Sequence, residues 1–413
     1  MKCRHCGETL QLPFLDLGSA PASNAYLSEA ALRAPETWFP LRVLVCTTCW
    51  LVQTEDHAGR EALFTDDYAY FSSFSSSWLA HAQTYVQDMR KRLNLQAGSC
   101  VAEVAANDGY LLQYVRAAGI PCYGIEPTAS TAAAARAKGI EVVEKFFGVA
   151  LADELARTGR HADLMAANNV LAHVPDINDF VAGFTRLLKP HGVATFEFPH
   201  LLRMVQGCQF DTVYHEHYSY LSLTAVQRIF AANGLRVVDV QELSTHGGSL
   251  RVFAVRADVA MHPHATPEGV ARVHQVLASE SEAGLLSPDF YRDFQFQALR
   301  IKRELLSFLL QCQRDGLRVG AYGAAAKGNT LLNFAGVRPD LLPYVVDKNP
   351  AKQGQYLPGS RIPIVDEAHL QADKPDLVLI LPWNLRAEVA AQLDYVRSWG
   401  ARFAVAVPRL EVF

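Results

Sequence analysis

A chain of 413 residues, half of them hydrophobic and with a formal net charge of −4, has the material for two or three domains with sizeable cores. The balance leaves no basic face of the kind that nucleic-acid phosphates demand, and no apolar run nears the ~20 residues that cross a bilayer, so neither a nucleic-acid partner nor a membrane is expected. The opening MKCRHCGETL lacks an apolar h-region, and eight cysteines in so long a chain do not read as a disulfide framework; the expected compartment is the cytoplasm.

Two C-x-x-C pairs come first, Cys3 with Cys6 and Cys46 with Cys49. Two thiolate pairs can close a tetrahedral zinc site that has no open position, which suits a structural role. A redox C-x-x-C is the competing reading, weakened because there are two pairs and no helix pattern follows either. The segment between the pairs is longer than the ~15–20 residues of the common spacing, so an ordered loop or hairpin is expected there. Residues 64–78, FTDDYAYFSSFSSSW, then set Tyr68, Tyr70 and a run of serines that includes Ser73 before a helix expected over 79–93. Serine caps and aromatic packing give one account of this stretch. A hydroxyl-rich wall for a polar ligand such as a sugar gives the other.

Residues 101–127 organise the chain. A short apolar run contains Glu103, the small-residue loop Ala105-Ala106-Asn107-Asp108-Gly109 follows, and a helix with Leu111, Leu112, Val115 and Ala118 on its apolar side closes at Gly119. A second strand ends in Glu126. The crossover rule makes the two strands parallel neighbours, and small loop residues let backbone N–H groups approach a ligand at the helix start. An acid roughly 20 residues past the loop is placed to accept hydrogen bonds from ribose hydroxyls. The dinucleotide fingerprint would need glycines where Ala105 and Asn107 stand. An acid on the first strand with a loop of small residues is instead similar to the S-adenosylmethionine site of Rossmann-like methyltransferases.

Strands and helices then alternate. A strand over 163–167 carries Asn168, Asn169 and His173 at its carboxyl end, the edge where open α/β sheets gather ligands. Asp176 is the expected N-cap of a helix that runs to about Lys189 and stops at Gly192. After a strand over 193–198 comes Tyr214-His215-Glu216-His217-Tyr218, two imidazoles, a carboxylate and two phenols in five residues. Metal binding at i, i+2 spacing would want a third ligand, and mutual satisfaction under a loop is the bland alternative. General-base chemistry fits best, since imidazole titrates near neutrality and a neighbouring carboxylate can orient it. Thr224 is the expected cap of the next helix. Two strands joined through Thr245-His246-Gly247-Gly248 should form an antiparallel closing pair. A helical linker over 257–286 and one long helix opened by Ser287 and Pro288 lead into residues 318–413, a second α/β unit with Gly320-x-x-Gly323. There Lys327, Asn329 and Lys348 would suit a diphosphate at a strand-helix turn, against the alternative of a structural lobe with surface lysines.

Taken together, the pieces resemble the sugar C-methyltransferases that act on nucleotide-linked deoxy keto sugars. The resemblance covers nearly the whole chain and rests on six motifs in order: the paired C-x-x-C, Y-x-Y-x-S-S at 68–73, E-V-A-A-N-D-G at 103–109, Y-H-E-H at 214–217, H-G-G-S at 246–249 and A-A-K-G-N-T at 325–330. Ala105 departs from the glycine more usual there, crowding the loop while leaving the acids in place.

The resemblance implies an α/β chain in which a Rossmann-like S-adenosylmethionine-dependent methyltransferase domain (61–256) lies between a small zinc-binding domain (1–60) and, after a helical linker (257–316), a second Rossmann-like lobe (317–413). It implies His217 as the base, with Tyr214, Glu216 and His173 around the keto sugar. Glu103, Asn107, Asp108, Gly109, Glu126, Asn168 and Asn169 are the expected cofactor residues. Tyr68, Tyr70, Ser73, His246, Lys327, Asn329 and Lys348 are expected on the substrate, and Cys3, Cys6, Cys46 and Cys49 on structural zinc. The expected substrate is a thymidine diphosphate 4-keto deoxysugar methylated at C3, and the expected state a monomer. A sugar O-methyltransferase, a nicotinamide-dependent sugar-nucleotide oxidoreductase and a purely structural zinc protein are the other classes the residues leave open.

Overall fold

The computed structural model describes residues 1–57 and 71–413, so Tyr68, Tyr70 and the expected 60/61 boundary lie outside the described residues. Three sheets carry the chain. The first is antiparallel: β1 (Leu12–Ala20), β2 (Phe39–Val45) and β3 (Val52–Thr54) pair in sequence, and its fourth strand, β9 (Ser219–Tyr220), comes from far along the chain.

The second sheet has seven strands in the order β10-β11-β8-β7-β4-β5-β6. These are β4 (Val101–Val104), β5 (Cys122–Ile125), β6 (Glu141–Val143), β7 (Ala162–Asn168), β8 (Leu188–Pro199), β10 (Leu235–Leu243) and β11 (Ser249–Arg256). From β8 through β6 the pairing is parallel, and β11 runs antiparallel to both of its neighbours, the expected closing pair. All four residues of β4 are buried, as a central strand covered on both faces requires. One face is packed by the helices Val149–Arg157, Ile177–Leu187 and Leu223–Ala232, the other by Ser76–Arg92 and Leu112–Ala117.

The third sheet, in the order β14-β13-β12-β15-β16-β17, is a second Rossmann-like unit. Its strands are β12 (Val319–Tyr322), β13 (Val345–Val346), β14 (Ile364–Val365), β15 (Leu377–Ile380), β16 (Arg402–Val405) and β17 (Glu411–Val412), and only β17 is antiparallel to its neighbour. The helix Phe294–Arg314 packs between the first and third sheets, with Phe294 stacked on Phe14 at 4.5 Å. No helix among the described residues is long and apolar enough to cross a membrane.

Several local expectations are corrected. Asp176 does cap its helix, accepting from the Asp179 N–H at 3.1 Å, but that helix ends at Leu187 and Gly192 lies inside β8. Pro190 is the reason: the residue before a proline is pushed out of the α region, so Lys189 cannot continue the helix. The cap of Leu223–Ala232 is Ser222, accepting from the Ala225 N–H at 3.1 Å. Thr224 instead donates its hydroxyl to Glu280 at 2.6 Å. The long helix expected after Pro288 is two helices, Asp289–Arg292 and Phe294–Arg314, broken at Asp293.

Candidate active site

Cys3, Cys6, Cys46 and Cys49 are brought together by the β2–β3 turn and the N-terminal turn, their sulfurs all within 4.8 Å of one another. The Cys3–Cys49 and Cys6–Cys46 separations are 3.5 Å. Four thiolates ~2.3 Å from a tetrahedral zinc stand about 3.8 Å apart, so the donor set fits that ion. Gln53 Nε2 donates to Cys3 Sγ at 3.2 Å and the Cys49 N–H to Cys46 Sγ at 3.5 Å, the outer donors that thiolate ligands need. None of the four lines the cavity described next.

That cavity, about 400 Å³, opens at the carboxyl ends of β4, β5 and β7 and is closed from the far side by the third sheet's loops. Its volume is in the range of small-molecule sites. At the β5 end sits Glu126, whose Oε2 accepts from the Asn107 N–H (2.9 Å) and Oε1 from the Thr128 N–H (3.0 Å). Burial raises its pKa, and those backbone donors counter the rise. The Thr128 and Thr131 hydroxyls act on the same carboxylate and counter the rise as well. The loop that lets Asn107 reach it is left-handed at Ala105 (φ 60°), Asn107 (φ 49°) and Gly109 (φ 75°). Non-glycine residues held there mark a backbone that the surroundings dictate. Ile125, Pro127, Phe147, Phe180, Val170 and Val174 add an apolar slot. A carboxylate at the cavity edge, an apolar slot and the buried, unpartnered Oδ1 of Asn169 together fit a nucleoside-bearing methyl donor such as S-adenosylmethionine.

Not all expected cofactor residues touch this space. Asn107, Glu126, Asn168 and Asn169 line it; Glu103, Asp108 and Gly109 do not. Glu103 is fully buried in β4, where burial holds its carboxyl well above the usual range. Asp108 receives the Ser73 N–H and the Lys138 ammonium, both at 3.3 Å, while Asn107 Oδ1 receives the Ser72 N–H at 2.9 Å. The two residues thereby fasten the segment before the helix Ser76–Arg92, and Ser73 takes part in that tie rather than in the cavity wall. Gly109 serves the backbone, since its φ of 75° lies in the left-handed region that side-chain-bearing residues rarely adopt, and a Cβ there would also press on Ile140.

Opposite lies the Tyr214–His217 turn. His217 Nδ1 is 2.8 Å from the Thr212 carbonyl, which can only accept, so Nδ1 carries the proton. In the neutral ring Nε2 then accepts from the Tyr214 hydroxyl at 2.7 Å. Burial keeps the imidazole neutral, pushing its pKa well below the ordinary value, with His173 next in influence. His173 lies edge-on to it at 4.5 Å between ring centroids and is itself lowered to about 4 by burial. The acceptor that orients His217 is thus a backbone carbonyl, not the neighbouring Glu216 that the sequence suggested. Glu216 Oε1 instead accepts from Asn24 Nδ2 at 2.7 Å. The turn is fastened on both sides: Thr54 Oγ1 donates to the His217 carbonyl at 3.0 Å and the Tyr218 N–H to the Ala172 carbonyl at 2.8 Å.

His246 faces the same space from a left-handed position (φ 54°), its Nε2 3.2 Å from Asn169 Nδ2 and its ring 5.4 Å from Trp78; burial lowers its pKa to about 4. The third sheet contributes Lys327, near Asn384 Oδ1 (3.5 Å) and over the Trp383 ring at 4.9 Å, at the start of the helix Ala326–Ala335. Burial lowers its pKa, and Asp211 opposes that. Asp211 is raised to about 6 by its own burial and accepts from Trp383 Nε1 at 2.7 Å. Asn329 and Lys348 do not line the cavity: Asn329 is buried with its amide 3.4 Å from the Ser23 carbonyl, and Lys348 is exposed. Lys352 lines the wall as well, donating to the Ala324 carbonyl at 2.9 Å, and Lys145 does so near Phe147. Asn24, Phe147 and Lys352 carried no sequence signal, since no motif surrounds them and only the fold brings them here, whereas Trp78 closes the serine-rich stretch 64–78.

Comparison with known proteins matches three family descriptions along the chain: a zinc binding domain over residues 3–64, a methyltransferase domain over 78–240 and a C-methyltransferase C-terminal domain over 244–408. The chain is 33% identical over 411 residues to the C-methyltransferase NovU of Streptomyces niveus, covering 100% of this chain and 96% of that one. Among solved structures, magnesium protoporphyrin IX methyltransferase from Synechocystis matches at 17% identity with a TM-score of 0.34, over 43% of this chain and 79% of that chain. An S-adenosylmethionine-dependent methyltransferase from Clostridium acetobutylicum matches at 10% with a TM-score of 0.35, over 43% and 92%. At that overlap neither structure bears on the function.

Proposed function

Since the chain belongs to the C-methyltransferase family and is an S-adenosylmethionine-dependent C-methyltransferase, we propose that it methylates a nucleotide-linked 4-keto deoxysugar, carried on thymidine diphosphate and methylated at C3. The segments 1–60, 61–256, 257–316 and 317–413 serve as zinc module, methyl-transfer domain, connecting helices and sugar-nucleotide lobe. The observation that carries this reading is the neutral Tyr214–His217 pair in one cavity with Glu126 at one end and Lys327 at the other.

A carbon bearing hydrogen becomes a nucleophile only after it loses a proton, and a ketone on the adjacent carbon makes that loss feasible. His217 Nε2, unprotonated and aimed at the Tyr214 hydroxyl, takes the α-proton directly or through that phenol. The C–H electron pair moves into the enolate, whose charge rests on the keto oxygen. With the Tyr214 hydroxyl already donating to His217, His173 would be the donor that stabilises that oxygen. The bound sulfonium cofactor supplies an electrophilic methyl group. Glu126 would hold its ribose hydroxyls, Asn168 and Asn169 its flank, and Phe147 with Phe180 its base. At the other end Lys327, the start of the helix Ala326–Ala335, which no side chain caps, and Lys352 suit the diphosphate.

A positioned base is worth about 10²–10⁴ in rate. His217→Ala should retain methyl-donor binding by calorimetry yet lose solvent deuterium exchange at the carbon next to the ketone. Unchanged exchange would remove His217 as the base. Mass spectrometry after incubation with a panel of keto-sugar nucleotides and labelled donor identifies the substrate, and product NMR locates the new methyl group.

A further inference from the structure

Between β1 and β2 the N-terminal module sends out a loop that reaches the third sheet's lobe. Its course is fixed by the third sheet's lobe. The Leu27 and Tyr356 backbones exchange hydrogen bonds at 2.9 and 2.8 Å, Tyr26 Oη donates to the Ala324 carbonyl at 2.7 Å, and Asn329 reaches the Ser23 carbonyl at 3.4 Å. Further out, the Gly359 N–H donates to Glu36 at 2.7 Å and Arg361 to the Leu32 carbonyl at 2.9 Å. At the tip stands Asn24, lining the cavity, with Nδ2 2.7 Å from Glu216 Oε1. The helix Ala326–Ala335 also grips the other partner's segment, since Thr330 Oγ1 donates to the Val213 carbonyl at 3.0 Å. One helix therefore registers both halves of the Asn24–Glu216 contact.

A carboxylate as deeply buried as Glu216, 1% exposed, needs hydrogen-bond donors to hold one orientation, and Asn24 is one of them. We propose that Asn24 is a positioning residue for methyl transfer, holding the Glu216 carboxylate toward the substrate. The zinc module, through this loop, is then a working wall of the active site. The inference rests on the reading that Glu216 faces the keto sugar.

The test is a double-mutant cycle on the full-length, zinc-loaded enzyme. Asn24→Ala should lower kcat roughly 10- to 100-fold, the scale of a hydrogen bond to a charged group, with the KM for methyl donor, the zinc content and the thermal midpoint unchanged. In a Glu216→Gln background the same substitution should cause no further loss, because the residue acts through that carboxylate. Wild-type kcat in Asn24→Ala, or an equal loss in both backgrounds, overturns the proposal. Should Asn24→Ala fold poorly, Asn24→Asp keeps the shape while replacing the donor with an acceptor; a folded Asn24→Asp enzyme with full kcat overturns it equally. Full activity of Glu216→Gln would instead sink the reading of Glu216 on which the proposal rests.

Discussion

At the scale of single residues, the decisive fact is which nitrogen of His217 carries its proton. The Thr212 carbonyl fixes the tautomer, and burial withdraws the second proton into acid conditions. A histidine with a lowered pKa stays neutral as pH falls through the ordinary 6.5, so with His217 as the proposed base the ring would remain able to accept a proton there. The acid limb of kcat/KM should therefore have its midpoint below 6.5, and a pH–rate profile with a midpoint at or above that value would contradict it. The Y-H-E-H cluster was legible because four reactive side chains share a few positions. The orienting carbonyl was not, for every residue has one and sequence says nothing of where it points. Asn24 was hidden for another reason: it meets Glu216 across 192 residues of chain. Lys348 and Lys352 are a third case, two lysines on one turn of which the fold turns only the second inward.

Among the elements, the sheets were legible and their fastenings were not. Apolar runs and acid-tipped strands announce a parallel sheet, because period and punctuation are local properties. The helix Pro267–Glu282 reads as a linker from its polar composition, yet its Glu280 is fully buried in the methyl-transfer domain. That carboxylate accepts from His200 Nε2 (2.7 Å), the N–H groups of Leu223 (2.6 Å) and Thr224 (2.9 Å), and the Thr224 hydroxyl (2.6 Å). It is in effect the distant cap of the helix Leu223–Ala232, which is why Thr224 was misassigned. Glu280→Ala would leave these donors buried and unpaired. The expected cost is about 3–5 kcal/mol, read as a lower urea midpoint, and a midpoint within error of wild type would refute this role.

On the scale of the whole molecule, the two Rossmann-like units share one device. Glu126 clamps the Asn107 and Thr128 N–H groups, and Asp347, at the matching strand tip, clamps those of Ala324 and Asn349, both at 2.8 Å. In the second unit Lys352 stands 3.7 Å from that acid and Tyr26 donates to the adjoining Ala324 carbonyl, so the chain's own side chains cover the acid that the first unit leaves facing its cavity. The cysteine-bearing module is joined to the Tyr214–His217 turn by a second route, since β9, two residues after His217, is a strand of its sheet. Chelating the zinc should therefore speed hydrogen exchange at the Thr54 amide and across 218–220, while the β4 and β5 amides stay protected. Unchanged exchange at Thr54 after metal removal would count against the coupling.

That shared strand also decides how such enzymes can be recombined. A chimera that takes residues 1–57 from one relative and the remainder from another mismatches an edge where Val52 meets Tyr220 and Gln53 meets Ser219, along with the Asn24 contact. A graft that exchanges substrate preference by module swapping has to carry 212–222 along with the cysteine-bearing segment, because the two stretches form a single inherited part.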